Sequence, residues 1–404
     1  MSLTLLFDLD DTLLANDIEG FLPKYLKAFS QTVEGIIEPN KFVKALLAGT
    51  KRMLENQQAD CTLQDVFEET FFPMVGISET EFRPIAEDFY QNVFPALREY
   101  TRPIPEAVNA IEEAKSRQFT VALASNPLFP QTAIRQRLTW AGFTPEKHPF
   151  SLIPSYEDFH FAKPDPAFFA ELLARLDWPS DPVIMVGDDL EKDIFAAQES
   201  GIKTYWIDSN GDKALNEILE ASGPLSSLYS WLDRSPKKDL QPDFTTPSAM
   251  LATLRSTPAA LDSLCRKLPL SILSQRPAPG EWSLTEILCH LRDVDREVNL
   301  LRVEKIMKED NPFLPGQDTD PWAKERRYNE ENGLLALYDF FTSRSKFIEI
   351  LESLRTENWE RSARHAILGP TSLAELVNIT TSHDRLHIQQ IHQVLKSITQ
   401  YSPN

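Results

Sequence analysis

The sequence predicts an α/β unit built on a parallel sheet, interrupted by a long helical insertion and followed by an all-α four-helix bundle. Three observations carry this reading. Short apolar runs recur through the first 210 residues, most of them followed by helical periodicity. One stretch between two of these runs, from Leu14 to Tyr100, holds no convincing strand and is too long for an ordinary crossover. Beyond a segment rich in Pro, Ser and charge, the pattern turns wholly helical.

The apolar runs are Leu3–Phe7, Phe119–Ala124, Phe150–Ile153, Val183–Val186 and Lys203–Ile207. Short β-rich runs alternating with helices favour a parallel sheet. The insertion contains helix-like stretches such as Gly20–Val33 and Pro84–Val93. From Pro224 to Ser248 the composition is that of a linker. After it, Ser283-x-x-Glu286 and Ser372-x-x-Glu375 have the form of capping boxes, each opening a long amphipathic segment. Further helical patterns near Met250–Lys267 and Glu331–Leu354 bring the bundle to four helices. The expected organisation is a sheet core at 1–13 and 101–223, the insertion at 14–100, a linker at 224–245 and the bundle at 246–404.

A chain of 404 residues, 42% hydrophobic and 25% charged, can bury a sizeable core and is neither disordered nor collagen-like. The formal charge of −19 argues against nucleic acid and anionic membranes as partners. It is unevenly placed: residues 1–240 carry 22 basic and 38 acidic side chains, a net of −16. Cys61, Cys265 and Cys289 are widely spaced, so neither a disulfide framework nor a Cys-based zinc site is indicated. With no signal-peptide pattern and no apolar run long enough to span a membrane, the expected location is cytoplasmic.

Asp8 and Asp10, in Phe7-Asp8-Leu9-Asp10-Asp11-Thr12, follow directly on the first run, where ligand sites of parallel sheets form. Asp188 and Asp193, in Gly187-Asp188-Asp189-Leu190-Glu191-Lys192-Asp193, follow the fourth. Carboxylates converging from two strand ends repel one another unless a hard cation lies between them, and oxygen-only ligands favour Mg²⁺. Ser125 and Asn126 end another run and offer a hydroxyl and backbone N–H groups. Lys163 lies in Phe161-Ala162-Lys163-Pro164-Asp165-Pro166, where the prolines discourage helix until after Pro166 and leave it on a loop. An acidic metal site that also collects a lysine and a hydroxyl is organised for phosphate. The alternative, strand-end Asp residues that merely cap helices, suits one Asp better than the whole set.

With these four motifs in order, DLDDT at 8–12, Ser125, Lys163 in AKPDP and GDDLEKD at 187–193, the first 210 or so residues resemble the haloacid dehalogenase superfamily. Ser151–Phe168 also resembles that family's approach to its lysine. The resemblance implies a Rossmann-like core with a helical cap. It implies Asp8 as the nucleophile that forms an aspartyl-phosphate, and Asp10 as the acid for the leaving group and base for water. Asp8, the Asp10 carbonyl and Asp188 would surround Mg²⁺, with Asp193 acting indirectly, while Ser125, Asn126 and Lys163 would hold the phosphate. An acid at position 10 matches the family's phosphatases and phosphotransferases better than its dehalogenases. Lys24, Lys51 and Arg52 of the cap are open to two readings, a second anion contact or a solvated helix face.

Five of the seven histidines fall after residue 285. His383 and His387 share one helix face at i, i+4, and His290 lies in the second bundle helix, so side-by-side packing would complete a three-His metal site with an open position. The alternative is a set of satisfied surface histidines. His392 is read as surface, His365 precedes the last helix and is open to a role behind the metal ligands that nothing in the sequence supports, and Cys289 is read as core. The loop NPFLPGQDTDPWAKERRY carries Trp322, Arg326 and Arg327, which either border the metal pocket and bind an acidic cosubstrate or form a plain surface connection. Pro277–Ser283, Glu286–Leu291 and Ser382–Ile391 resemble the DinB-like four-helix bundles over about residues 246–400. That resemblance implies a Zn²⁺ or Ni²⁺ ion on His290, His383 and His387.

The expected function is Mg²⁺-dependent hydrolysis of a small phosphorylated metabolite, with a divalent-metal bundle attached. The alternatives are a bundle that is itself a thiol-dependent S-transferase or metal hydrolase, using a low-molecular-weight thiol, or a non-catalytic binding or dimerisation module. A homodimer is left open.

Overall fold

The computed structural model describes residues 2–208, 219 and 221–398. The chain divides into two compact units, Met1–Leu172 with Pro179–Pro242, and Leu173–Trp178 with Asp243–Asn404.

The first unit is organised around a parallel five-stranded sheet. Its strands are β1 (Thr4–Phe7), β4 (Thr120–Leu123), β5 (Val183–Gly187), β6 (Lys203–Ile207) and β7 (Ser222–Gly223), in the order β4-β1-β5-β6-β7. β1 is central, with Phe7 level with Leu123 on one side and Val186 on the other. Leu5, Leu6 and Phe7 and all four residues of Val183–Val186 are fully buried, because helices cover both faces of a parallel sheet and leave no alternation to read. The registers bring the carboxyl ends of β1, β4 and β5 level with one another.

Phe150–Ile153, expected as a strand, is not one. It runs beside β4 with two backbone bonds, Ser151 N–H to the Val121 carbonyl and the Leu123 N–H to the Leu152 carbonyl. Pro149 and Pro154 bracket it and lack the N–H that would extend the ladder. The insertion, in turn, opens with a strand that was not expected, β2 (Leu14–Asn16), antiparallel to β3 (Thr101–Pro103) where the chain returns.

Between β2 and β3 lie helices α1 (Ile18–Thr32), α2 (Pro39–Leu54), α3 (Leu63–Val75) and α4 (Glu79–Asp88). Thr62 with Asp65 and Ser78 with Glu81 form capping boxes that start α3 and α4. The core of this region is aromatic: Phe29 stacks on Phe89 at 3.9 Å between centroids, Phe42 packs edge to face with Phe29 and Phe71, and Phe82 lies tilted against Phe71. After β3 come α5 (Pro105–Ser116), α6 (Gln131–Trp140) and α7 (Pro166–Arg175).

The expected linker at 224–245 needs correction, because part of it is a helix, Leu228–Arg234, belonging to the first unit. Leu225, Leu228 and Leu232 are buried, Trp231 packs on Tyr205, and Arg117 pairs with Asp233. The i, i+3, i+4 apolar spacing was masked by the prolines and serines around it.

The second unit contains four long helical stretches, Pro247–Cys265, 284–308, Gly333–Glu352 and Leu373–Ile398. The second is helical throughout but has a π-turn at Asp295–Asn299. Both expected capping boxes are formed, Ser283 with Glu286 and Ser372 with Glu375. A small sheet in the order β10-β9-β8 is built from β8 (Phe313–Leu314), β9 (Ser362–His365) and β10 (Gly369–Ser372). Met250, Leu254, Phe347, Leu373 and Val377 belong to the apolar core. No helix among the described residues is long and apolar enough to cross a membrane.

Arg344 crosses the middle of this unit fully buried, bonded to Asp295 at 2.6 Å, to Asp384 at 2.5 Å and to the Leu254 carbonyl. Removing one side of a buried ion network strands the remaining charges. Arg344→Leu is therefore expected to destabilise the bundle by about 3–5 kcal/mol, read as a lower urea midpoint of the helical transition. Adding Asp295→Asn and Asp384→Asn should recover much of the loss; a single variant as stable as the parent would contradict this account.

Candidate functional site

Asp8 leaves β1 with its N–H bonded to the Val186 carbonyl, so its position is fixed by strand pairing. Three residues on, the chain turns sharply: Asp11 has φ +52°, and its carboxylate accepts the Asn16 N–H at 2.9 Å, a local bond that suits Asp to the left-handed region. Asp188 leaves β5 beside it, accepting from Thr12 Oγ1 at 3.1 Å. Asp193 folds back from the turn after Asp189, and its second oxygen accepts the Asp189 N–H at 3.1 Å. Gly187 makes this return possible, since a Cβ there would collide with the Asp193 carboxylate.

Carboxylate oxygens of Asp8, Asp188 and Asp193 lie within 4.8 Å of one another. Lys163 enters the group from its loop, bonded to Asp8 Oδ1 at 2.7 Å and Asp193 Oδ1 at 2.5 Å, and is 1% exposed. Burial and repulsion from Asp193 hold Asp8 well above the usual carboxylate range, with Lys163 acting the other way. Burial, then Asp193, pushes Asp188 up to about 7. Burial works against the Lys163 ammonium, but Asp193 and Asp8 more than offset it and raise the group. One lysine thus leaves excess negative charge among oxygen donors, which fits a hard divalent cation. Asp193 is already held by Lys163 and the Asp189 amide, which leaves Asp8 and Asp188 as the pair open to that ion.

The Asp10 side chain lies elsewhere. It accepts from Asn16 Nδ2 at 2.8 Å and is ion-paired with the buried Arg137 of α6, which packs against the rings of Phe21 and Phe129. Asp10 is therefore oriented from the insertion and from α6, not by the other carboxylates. Ser125 is buried just past β4. The Asn126 side chain is spent on the lysine loop: its oxygen accepts the Lys163 N–H and its amide donates to the Lys163 carbonyl. Of Asn126, the backbone N–H is what remains for a phosphate. Lys24, Lys51 and Arg52 are exposed, and Lys51 pairs with Glu55, so the solvated reading fits the cap lysines.

In the second unit His290, His383 and His387 come together. His383 Nε2 is 3.1 Å from the Nε2 of each neighbour. Nitrogens on a tetrahedral ion at ~2.0–2.1 Å would lie about 3.3 Å apart, close to this spacing. Burial and mutual repulsion push His290 down to about 3; burial likewise lowers His383 and His387 to about 4, so all three are neutral and present lone pairs. His387 Nδ1 pairs with Gln390 Oε1 at 2.8 Å, which assigns the proton to Nδ1 and frees Nε2. Trp282 lies over His387 with its ring parallel to the imidazole. The donor set fits a Zn²⁺-class ion.

Cys289 is buried and its thiol is pushed up to about 12, which suits a core residue. Arg326 is consumed by Asp293 and Glu297, and Arg327 by Glu330, so neither is a spare cation. His392, read as surface, is half-buried with Nε2 bonded to the Ala174 carbonyl. Sequence reasoning missed Arg137, Asn16 and Gln390, whose roles depend on contacts distant in the chain or on a single side-chain bond.

The profile of the haloacid dehalogenase-like hydrolases matches residues 3–201, and that of the DinB superfamily matches residues 253–391. Phosphoglycolate phosphatase of Aquifex aeolicus is 31% identical over 205 residues, half of this chain and 82% of that protein. Phosphoserine phosphatase of Thermus thermophilus is 32% identical over 144 residues; the match takes in 35% of this chain and 53%, about half, of that relative's length. Among solved structures, YfiT from Bacillus subtilis, described as a probable metal-dependent hydrolase with an unusual four-helix bundle topology, is 17% identical. It aligns over 40% of this chain and 90% of its own, with a TM-score of 0.35.

Proposed function

The chain belongs to the haloacid dehalogenase-like hydrolases and carries a DinB-superfamily region at residues 253–391, and on that basis we propose that it is a Mg²⁺-dependent phosphatase acting on a small phosphorylated metabolite. The observation that carries the reading is the grouping of Asp8, Asp188, Asp193 and Lys163 at the ends of adjacent parallel strands.

Lys163 holds Asp8 by one oxygen and leaves Oδ2 without a protein partner among the described residues, free to attack phosphorus. The bond to the leaving oxygen breaks as the bond from Asp8 forms, and Asp10 gives that oxygen a proton. Water then attacks the aspartyl-phosphate, loses its proton to Asp10, and releases phosphate and the Asp8 carboxylate. Lys163 and the backbone amides past β4 meet the phosphoryl oxygens. Mg²⁺, when bound by Asp8 and Asp188, supplies charge neutralisation that lets an anionic nucleophile approach an anionic phosphate. A screen of phosphorylated metabolites with and without chelator tests the proposal. Metal-dependent phosphate release is expected, and the absence of release from every member, a generic aryl phosphate included, would overturn it.

Arg137 and Asn16 act as positioning residues for Asp10. Arg137→Met is expected to lower kcat for alkyl phosphates about 100-fold, the scale of a misplaced catalytic group, with little change in the Mg²⁺ titration. Aryl phosphates, whose leaving groups need less protonation, should lose far less. Equal losses on both classes would mean that Arg137 serves only structure.

A second reading concerns the bundle and rests on the three converged imidazoles. A Zn²⁺- or Ni²⁺-class ion on His290, His383 and His387 would make the bundle a metal hydrolase or a transferase using a low-molecular-weight thiol.

A further inference from the structure

The second unit holds a cavity of about 230 Å³ that reaches His383. Its wall is largely apolar, with Val294, Val298, Phe347 and Val377 among the lining residues, and Ile367 and Ile379 are partly exposed at its surface. Among the described residues no acidic side chain lines it, in a chain of net charge −19. Among its polar lining residues, His365 and Arg302 carry the donors that matter here.

The first is His365, at the end of β9 and 8% exposed. Its Nδ1 faces the N–H groups of Ile367 and Leu368, both at 3.3 Å. Backbone N–H groups can only donate, so Nδ1 accepts and the ring proton resides on Nε2. That Nε2 is buried and has no hydrogen-bond partner. The second is Arg302, half-buried, whose one described hydrogen bond is to the Pro315 carbonyl at 3.3 Å and which has no carboxylate partner among the described residues. The two are close enough for Arg302 to oppose protonation of His365. A guanidinium has five N–H donors, so most of this one is unspent. Native proteins rarely leave a buried donor such as His365 Nε2–H unsatisfied without a ligand, ion or water to meet it.

We propose that this cavity binds a small carboxylic acid with an apolar body, its carboxylate bonded to His365 Nε2–H and Arg302 and its body lying along the apolar wall beside the histidine triad. One cation and one neutral imidazole match a monoanion; a phosphate dianion would bring more charge than they offset. The volume, below the ~300–1,000 Å³ of drug-sized sites, restricts the acid to a compact one. The inference deepens the second reading of the bundle by naming the class of its substrate, but acid binding itself requires only the cavity.

The test is calorimetric titration of the full chain with hexanoate and benzoate against hexanamide and benzamide, in metal-loaded and chelated protein. The acids are expected to bind at least about tenfold more tightly than the amides, the scale of a charge-assisted bond. Arg302→Met and His365→Phe should each remove that preference without weakening the amides, and Arg302→Lys should keep part of it, which guards against a variant that fails to fold. Preference retained in chelated protein supports the cavity even where the metal reading fails. Equal binding of acid and amide overturns the proposal. So does acid binding that needs metal and ignores Arg302, because the carboxylate would then be a metal ligand.

Discussion

Asp8→Asn is expected to lower Mg²⁺-dependent hydrolysis of an aryl phosphate by on the order of 10⁴-fold or more, the scale seen when one member of a catalytic unit is removed. An amide oxygen is a poor nucleophile and cannot form the acyl phosphate, while it can still accept the Lys163 hydrogen bond now made at 2.7 Å. The lysine also keeps Asp193 at 2.5 Å, so the site should hold its shape. Asp8 is buried against two like charges, and taking away its negative charge relieves repulsion with Asp193. The variant should therefore melt no lower than the parent in chelated buffer. Loss of activity with unchanged melting assigns Asp8 to the chemistry; undiminished hydrolysis would refute the assignment, and loss of both would make Asp8 a structural residue.

β1, β4, β5 and β6 were legible because each lies in a short, mostly apolar run, which is what burial on both faces demands of β1 and β5, whereas β7 is two small residues that carry no such pattern. Phe150–Ile153 has the same apolar look, but its flanking prolines forbid the ladder, and composition alone does not show how much weight they carry. β2 and the Leu228–Arg234 helix escaped notice for the opposite reason: both are short, and their stability comes from partners distant in sequence, Thr101–Pro103 for the strand and Tyr205 for Trp231. The same division holds at the sites. Asp8, Asp188 and Lys163 stand at strand ends and loops that sequence can place, and His383 and His387 are set by helical spacing. Arg137 was hidden inside an ordinary amphipathic helix, where a buried arginine cannot be told from a solvated one until Asp10 is seen against it. Arg302 was equally silent, since what singles it out is the absence of a carboxylate around it among the described residues, and an absence has no motif; at His365, sequence does not show that Nε2 is buried without a partner.

His383 is the central imidazole, 3.1 Å from both neighbours, so His383→Ala leaves His290 and His387 without the ligand that links them. Loss of an outer partner of a metal ligand costs about 10–100-fold in affinity, so loss of the ligand itself should exceed that. The parent is expected to retain about one equivalent of divalent transition metal after dialysis, and His383→Ala close to none, by elemental analysis of the intact chain. His290→Ala should behave alike, because the remaining i, i+4 pair offers two nitrogens where a closed tetrahedral shell needs more. Gln390→Ala should give a smaller loss, as it frees the His387 ring now held at 2.8 Å without removing a donor. The graded order, His383 with His290 first and Gln390 after, is what separates a metal centre from three buried histidines that merely pack. A parent free of divalent metal, or a His383→Ala protein with the parent's metal content, would refute the metal reading of the bundle.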